Sequence, residues 1–251
     1  MLFTSAGLAV AGGDPGAALP VLSLVTLVLL GVAPLALVLA HDWRVTPQVH
    51  RAVAALQVGD EATVRGILDR LARWPWRRLA SSTVSYLEAT MAFRAGDLAR
   101  SRRELDATLA APAPWLLRPG ILVLRAVAHG LRALVAALQG DVAQVSADEK
   151  ALDGNPDAQP EALAMVELAR AVVMLRAGGS RHAELQRHLD RHRSLLLGAS
   201  LGRTRALARA LLRPGVLPGH DAYRSAAGEG ELASDPGTAW LRRIAPDLVP
   251  L

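Results

Sequence analysis

Cysteine is absent from all 251 residues, which excludes disulfides, cysteine–zinc sites and thiol chemistry. Lysine is nearly absent: of 28 basic residues only Lys150 is one. We read that bias as the codon usage of a GC-rich bacterial genome, although a guanidinium also pairs with carboxylates in a fork that an ammonium lacks. A basic tract is missing too. Residues 41–110 carry 11 Arg against 8 acids, and residues 161–251 carry 13 Arg against 9. A net charge of +5 interleaved in this way describes a solvated helical surface, so nucleic acid is not an expected partner. Aromatics make up only 4% of the chain. The 51% hydrophobic content is mostly Ala, Leu and Val, the first two favouring helix over sheet. The expected fold class is therefore all-α, and the length suits an anchor plus one domain of roughly 200 residues.

The anchor is read from charge. No charged residue lies between Pro15 and Ala40, and His41-Asp42-Trp43-Arg44 ends the run. Residues 18–40 are expected to form one transmembrane helix, since about 20 apolar residues span a bilayer core. Nine Leu and five Val between Leu19 and Leu39 favour insertion by roughly 5 kcal/mol, before Pro34, Gly31, Ser23 and Thr26 are set against it. A cleaved signal peptide fits less well, because residues 2–20 hold no Lys or Arg and the apolar core is too long. A buried helix of a soluble protein is the remaining alternative. Arg44, Arg51, Arg65, Arg70 and Arg73 follow the run, whereas Asp14 alone precedes it. That asymmetry predicts a single-pass protein of the inner (cytoplasmic) membrane, with residues 1–17 outside and the C-terminal domain in the cytoplasm. Trp43 and Arg44 fall where an interfacial aromatic and a snorkelling cation belong.

Beyond residue 44 one pattern recurs four times. An apolar stretch ends in Gly59-Asp60, Gly96-Asp97, Gly140-Asp141 and Gly178-Gly179, at spacings of 37, 44 and 38 residues. The Gly suits a left-handed C-cap and the Asp suits capping of the next helix, so each copy reads as a helical hairpin. Expected apolar faces of the second helices are Val64, Ile67, Leu68 and Leu71; Leu98, Leu105 and Leu109; Val142, Val145 and Leu152; and Leu185 and Leu189. Pro-containing joints separate the units at Trp74-Pro75-Trp76, Pro112, Pro114, Pro119, Pro156 and Pro160. Such units stack into an α-solenoid. A generic antiparallel helical bundle is the plainer alternative.

Tyr86 to Pro112 resembles a tetratricopeptide (TPR) repeat. Ala89, Gly96-Asp97, Ser101 and Thr108 fall where that family uses a small residue, its interhelix turn and two further small residues. The other copies keep the first Ala, but of Val64, Leu71, Val145, Leu152, Ala183 and Asp190 only Ala183 is small. The periods also exceed the family's usual length of about 34. The domain at 45–213 is thus expected to be TPR-like, with about four hairpins. Leu195 to Leu212 reads as one further helix. Residues 214–251 are expected to be a loop and a short C-terminal helix, 239–245, whose Trp240 and Ile244 form a capping lid.

Candidate chemistry is sparse. His188 and His192, with His182 and Asp190 nearby, have a spacing at which two imidazoles on one helix face hold a metal. Arg181, Arg187, Arg191 and Arg193 surround them, a repulsive setting for a cation, so the expectation is a solvated face and no metal. Gly12 to Gly16 has no preceding strand and makes no phosphate loop. No triad or carboxylate pair is legible, so no catalytic residue, cofactor or enzymatic activity is expected. Arg70, Arg73, Trp74, Trp76, Arg77 and Arg78 cluster in one joint. They suit a lipid headgroup region, or else the Trp residues fill the joint while the Arg residues cap carbonyls.

The resemblance implies a protein–protein interaction scaffold held at the membrane, with its partner in a groove lined by first helices. Those helices offer Arg51, Arg94, Arg132 and Arg176, a set expected to meet acidic side chains. The alternative is a structural accessory subunit of a multi-protein membrane complex, joined through its transmembrane helix.

Overall fold

A computed structural model describes residues 36, 39, 43–74, 77–113, 117–177, 182–198, 202–211 and 236–248. Among these residues the protein is all-helical, with no strand. The chain divides into two compact units, Met1–Thr46 and Pro47–Leu251. In the first unit Ala36 and Leu39 are helical, and Leu39 and Trp43 are 60% and 80% exposed. The expected anchor at 18–40 otherwise lies outside the described residues.

The helices of the second unit are α1 (Thr46–Val58), α2 (Glu61–Ala72), α3 (Ser81–Ala95), α4 (Leu98–Ala110) and α5 (Arg118–Gln139). They continue as α6 (Val142–Leu152), α7 (Pro160–Ala177), α8 (His182–Gly198), α9 (Gly202–Leu211) and α10 (Pro236–Ile244).

Three of the hairpin turns share one geometry. Gly59, Gly96 and Gly140 have φ of 85°, 84° and 83°. At each, the aspartate amide donates back to a helix carbonyl at 2.9 Å: Asp60 to Ala55, Asp97 to Ala92 and Asp141 to Ala136. The same aspartate side chain then accepts from the amide three residues on, at 3.0 Å from Thr63, 2.9 Å from Arg100 and 3.1 Å from Gln144. One dipeptide therefore closes a Schellman C-cap and caps the next helix, leaving no spare residue in the loop. The fourth turn, Gly178-Gly179, lies outside the described residues.

Packing follows from the small residues. Ala52, Ala89, Ala133 and Ala171, each seven before its turn glycine, are all fully buried. Ser101 and Thr108 are buried likewise. Two first helices touch both their own second helix and the next first helix: α3 packs on α4 and α5, and α5 packs on α6 and α7. A close approach occurs at Gly130 of α5, where a Cβ would stand 2.6 Å from the carbonyl oxygen of Ala162 on α7. Only glycine permits that separation. The buried faces include Val64, Ile67, Leu68, Leu71, Leu105, Val145, Leu152, Leu185 and Leu189, as the periodicity predicts. Val142 differs, being 52% exposed as the first residue of α6, a full turn before the buried stripe begins at Val145.

α5 is long and apolar enough to cross a membrane by length and composition, yet it is mostly buried inside the domain. Neighbours α3, α4, α6 and α7 cover it, which marks it as a core helix.

The expected helix over 195–212 is represented by the end of α8, to Gly198, and by α9 from Gly202, residues 199–201 lying outside the described ones. The closing helix forms as α10, but it packs on more than the last hairpin. Besides α9, it reaches α3: the Trp240 indole N–H donates to the Phe93 carbonyl at 2.9 Å, and an Arg243 guanidinium N–H donates to that of Ala95 at 2.7 Å.

Candidate functional site

Each of the four first-helix arginines has a different environment. Arg51 on α1 is exposed. Arg94 on α3 is half-buried, with its Nε shielded from solvent and unpartnered. Arg176 on α7 is an internal strut: its Nε donates to Asp247 at 2.7 Å and its Nη1 to the Ala137 carbonyl at 2.6 Å. It thereby ties the residues after α10 to the end of α5.

Arg132 faces inward, towards α4 and α6. Its Nη2 lies 2.6 Å from Asp148 Oδ1 and its Nη1 2.7 Å from Asp106 Oδ1. Asp148, on α6, is completely buried and is also held by His129 Nδ1 at 2.7 Å and by Gln144 Nε2 at 3.1 Å. Burial pushes the Asp148 carboxyl up. Hydrogen bonds from His129 and Arg132, with the Arg132 charge, outweigh that and hold it below the ordinary carboxylate range. A carboxylate so enclosed has no access to a substrate; its chemistry is to hold α5 and α6 in register. The residues were legible only as spacings, His129 and Arg132 three apart on α5 and Gln144 and Asp148 four apart on α6. The arginine set is therefore not one free cationic surface, because two members are paired with the domain's own carboxylates.

In the joint cluster, Arg70 Nε donates to the Gly66 carbonyl at 3.1 Å and Arg73 Nε to that of Asp69 at 3.2 Å. Both side chains thus fold back onto carbonyls of α2, Arg73 at its C-terminal end. Arg78 is exposed and Trp74 half-buried. Trp76 and the Arg77 side chain lie outside the described residues. Trp43 and Arg44 are exposed.

A cleft of about 390 Å³ runs between α2 and α3. Glu61, Asp69, Glu88 and Asp97 line it together with Arg65 and Arg100, over an apolar floor that includes Leu68, Met91 and Ala92. Arg65 pairs with Glu61 at 3.3 Å and Arg100 with Glu88 at 3.5 Å, leaving the cleft a net acidic character. Its chemistry suits a basic side chain carried on an apolar segment. No protein-family model, curated protein or solved structure matches this chain.

Proposed function

We propose that this protein is a membrane-tethered scaffold, its residues 18–40 anchoring a TPR-like stack of helical hairpins that binds another protein at the cytoplasmic face of a bacterial inner membrane. The observation that carries the reading is the recurrence of one Gly–Asp turn in three successive hairpins, each with a fully buried alanine seven residues before the glycine. Equal units that bury a face against their neighbours are the building principle of solenoids, whose long surfaces bind peptides and helices. Exposed Leu39, Trp43 and Arg44 at the end of the apolar run support the anchor. With Arg132 and Arg176 engaged internally, the binding surface we favour is the α2–α3 cleft, and the partner presents a basic segment to it.

Orientation is tested by placing single cysteines at Ser5 and Ser234 of the cysteine-free chain. An impermeant thiol reagent should label position 5 in intact cells and leave position 234 unmodified; the reverse pattern removes the cytoplasmic assignment. Partner binding is tested by charge reversal in the cleft. Asp69→Arg with Glu88→Arg should preserve the helical circular dichroism while reducing co-purified partner about tenfold, because like charges oppose docking. Removal of residues 1–44 should leave recovery intact. Loss of the partner on that truncation, with no effect of the cleft variant, would transfer the function to the accessory-subunit reading, in which the anchor makes the contacts.

A further inference from the structure

We propose that Glu167, His188 and His192 form a binding site for a divalent transition-metal ion of the zinc class, joining α7 to α8. The three residues each offer one ligand atom, and these atoms lie within 4.8 Å of one another. His188 and His192 come from successive turns of α8, with ring centroids 4.9 Å apart, and Glu167 comes across from α7. Glu167 Oε2 is 3.1 Å from His188 Nε2 and 3.9 Å from His192 Nε2. Bonds of about 2.0–2.1 Å in tetrahedral geometry separate ligand atoms by about 3.3 Å, so small side-chain rotations gather this set around one ion.

The setting favours a cation more than the sequence suggested. His188 is only 8% exposed, so its imidazole does not sit on a solvated face, while His192 is half-buried beside it. Its Nε2 lies 3.1 Å from the Glu167 backbone carbonyl, which can only accept, so this nitrogen carries the proton. Glu167 Oε2 is buried without a well-aligned hydrogen bond, its nearest polar neighbour being His188 Nε2 at 3.1 Å. A buried carboxylate oxygen in that state is costly, and a metal ion satisfies it. Three nearby arginines are engaged with protein groups, Arg170 with Glu167 itself among them. Arg187 Nε donates to the Ala183 carbonyl, Arg193 pairs with Asp190 at 3.3 Å, and Arg170 pairs with Glu149 at 2.9 Å while standing 3.8 Å from Glu167.

Two imidazole nitrogens and one carboxylate oxygen match a zinc-class ion, with water completing the fourth position. Binding transfers the His188 Nε2 proton to Nδ1 or to solvent and frees the nitrogen lone pair. The ion would fasten α7 to α8, between which the sequence has Gly178-Gly179 in place of the Gly–Asp pair of residues 59–60, 96–97 and 140–141.

The test uses the full chain, stripped with chelator and titrated calorimetrically with Zn²⁺, then with Co²⁺ followed by visible absorption. We expect one equivalent to bind, with the d–d bands of low-coordinate cobalt. The melting temperature should rise as zinc saturates the site. His192→Gln, at a half-buried position with little risk to folding, and Glu167→Gln should each weaken binding at least about tenfold and remove the zinc-dependent rise in melting temperature. Absence of saturable binding, or an affinity unchanged in both variants, overturns the site.

Discussion

Asp148→Ala is expected to destabilise the domain by about 3 kcal/mol, because it leaves Arg132 without its buried counter-ion and His129 without its hydrogen-bond partner. The cost falls at the low end of the usual range because Asp106 still holds Arg132 Nη1. For a domain of this size, a loss of that magnitude lowers the melting temperature by roughly 10 °C, readable by circular dichroism. Replacing Arg132, His129 and Asp148 together with apolar residues of similar volume should recover most of the loss, since desolvating the charges offsets much of their attraction. Acid should act in the same direction as the single variant. Asp148 is held below the ordinary carboxylate range in the folded state. Asp141 is also held low, chiefly by the Gln144 amide, and Asp247 chiefly by Arg176. A depressed carboxyl contributes stability that is complete above its unfolded value and is lost as pH falls through its folded one. The wild-type melting temperature should therefore decline below about pH 4, with less decline in Asp148→Ala. An equal decline in both would show that Asp148 does not carry the acid response.

Trp240→Ala is expected to cost about 3–5 kcal/mol, the range for deleting a buried indole. Trp240 is only 2% exposed, stacks edge-on against Phe93 at 5.0 Å and carries the Arg203 guanidinium 5.8 Å above its ring. It joins α10 to α3 across 147 residues of sequence. Trp240→Phe keeps most of the apolar contact and removes the N–H donor, so it should cost only about 1 kcal/mol. Urea unfolding of the two variants separates packing from the hydrogen bond. Equal costs would mean that the indole N–H, and not the ring, holds α10 in place. The effect should extend beyond α10, because Ile244 and Arg243 close over Gly96, where an added Cβ would meet them at 2.9 and 3.0 Å. Amides near Phe93 should lose hydrogen-exchange protection in Trp240→Ala.

Much of the local structure was legible because it is set by neighbours in sequence. A glycine followed by aspartate fixes a helix end and the next helix start through its own backbone and side chain, and three such turns were readable at residues 59, 96 and 140 without tertiary information. The alanine seven residues before each glycine and the apolar periodicity of the second helices were readable for the same reason: a helix repeats its faces every few residues. What remained hidden depends on which helix faces which. Arg132 and Arg176 looked like groove residues from their helices alone, but neighbouring elements supply the buried Asp148 with Asp106 to the first, and Asp247 with the Ala137 carbonyl to the second. His188 and His192 looked solvated because their neighbours in sequence are arginines, whereas Glu167 reaches them from α7, the preceding helix. Gly130 was one glycine among 21 until α7 came within 2.6 Å of the place its Cβ would occupy. The sequence by itself thus determined the helices and their turns, which short-range geometry dictates. Only the tertiary structure decided which charges are paired, where α10 docks and which ligand atoms converge, because these depend on contacts between residues far apart along the chain.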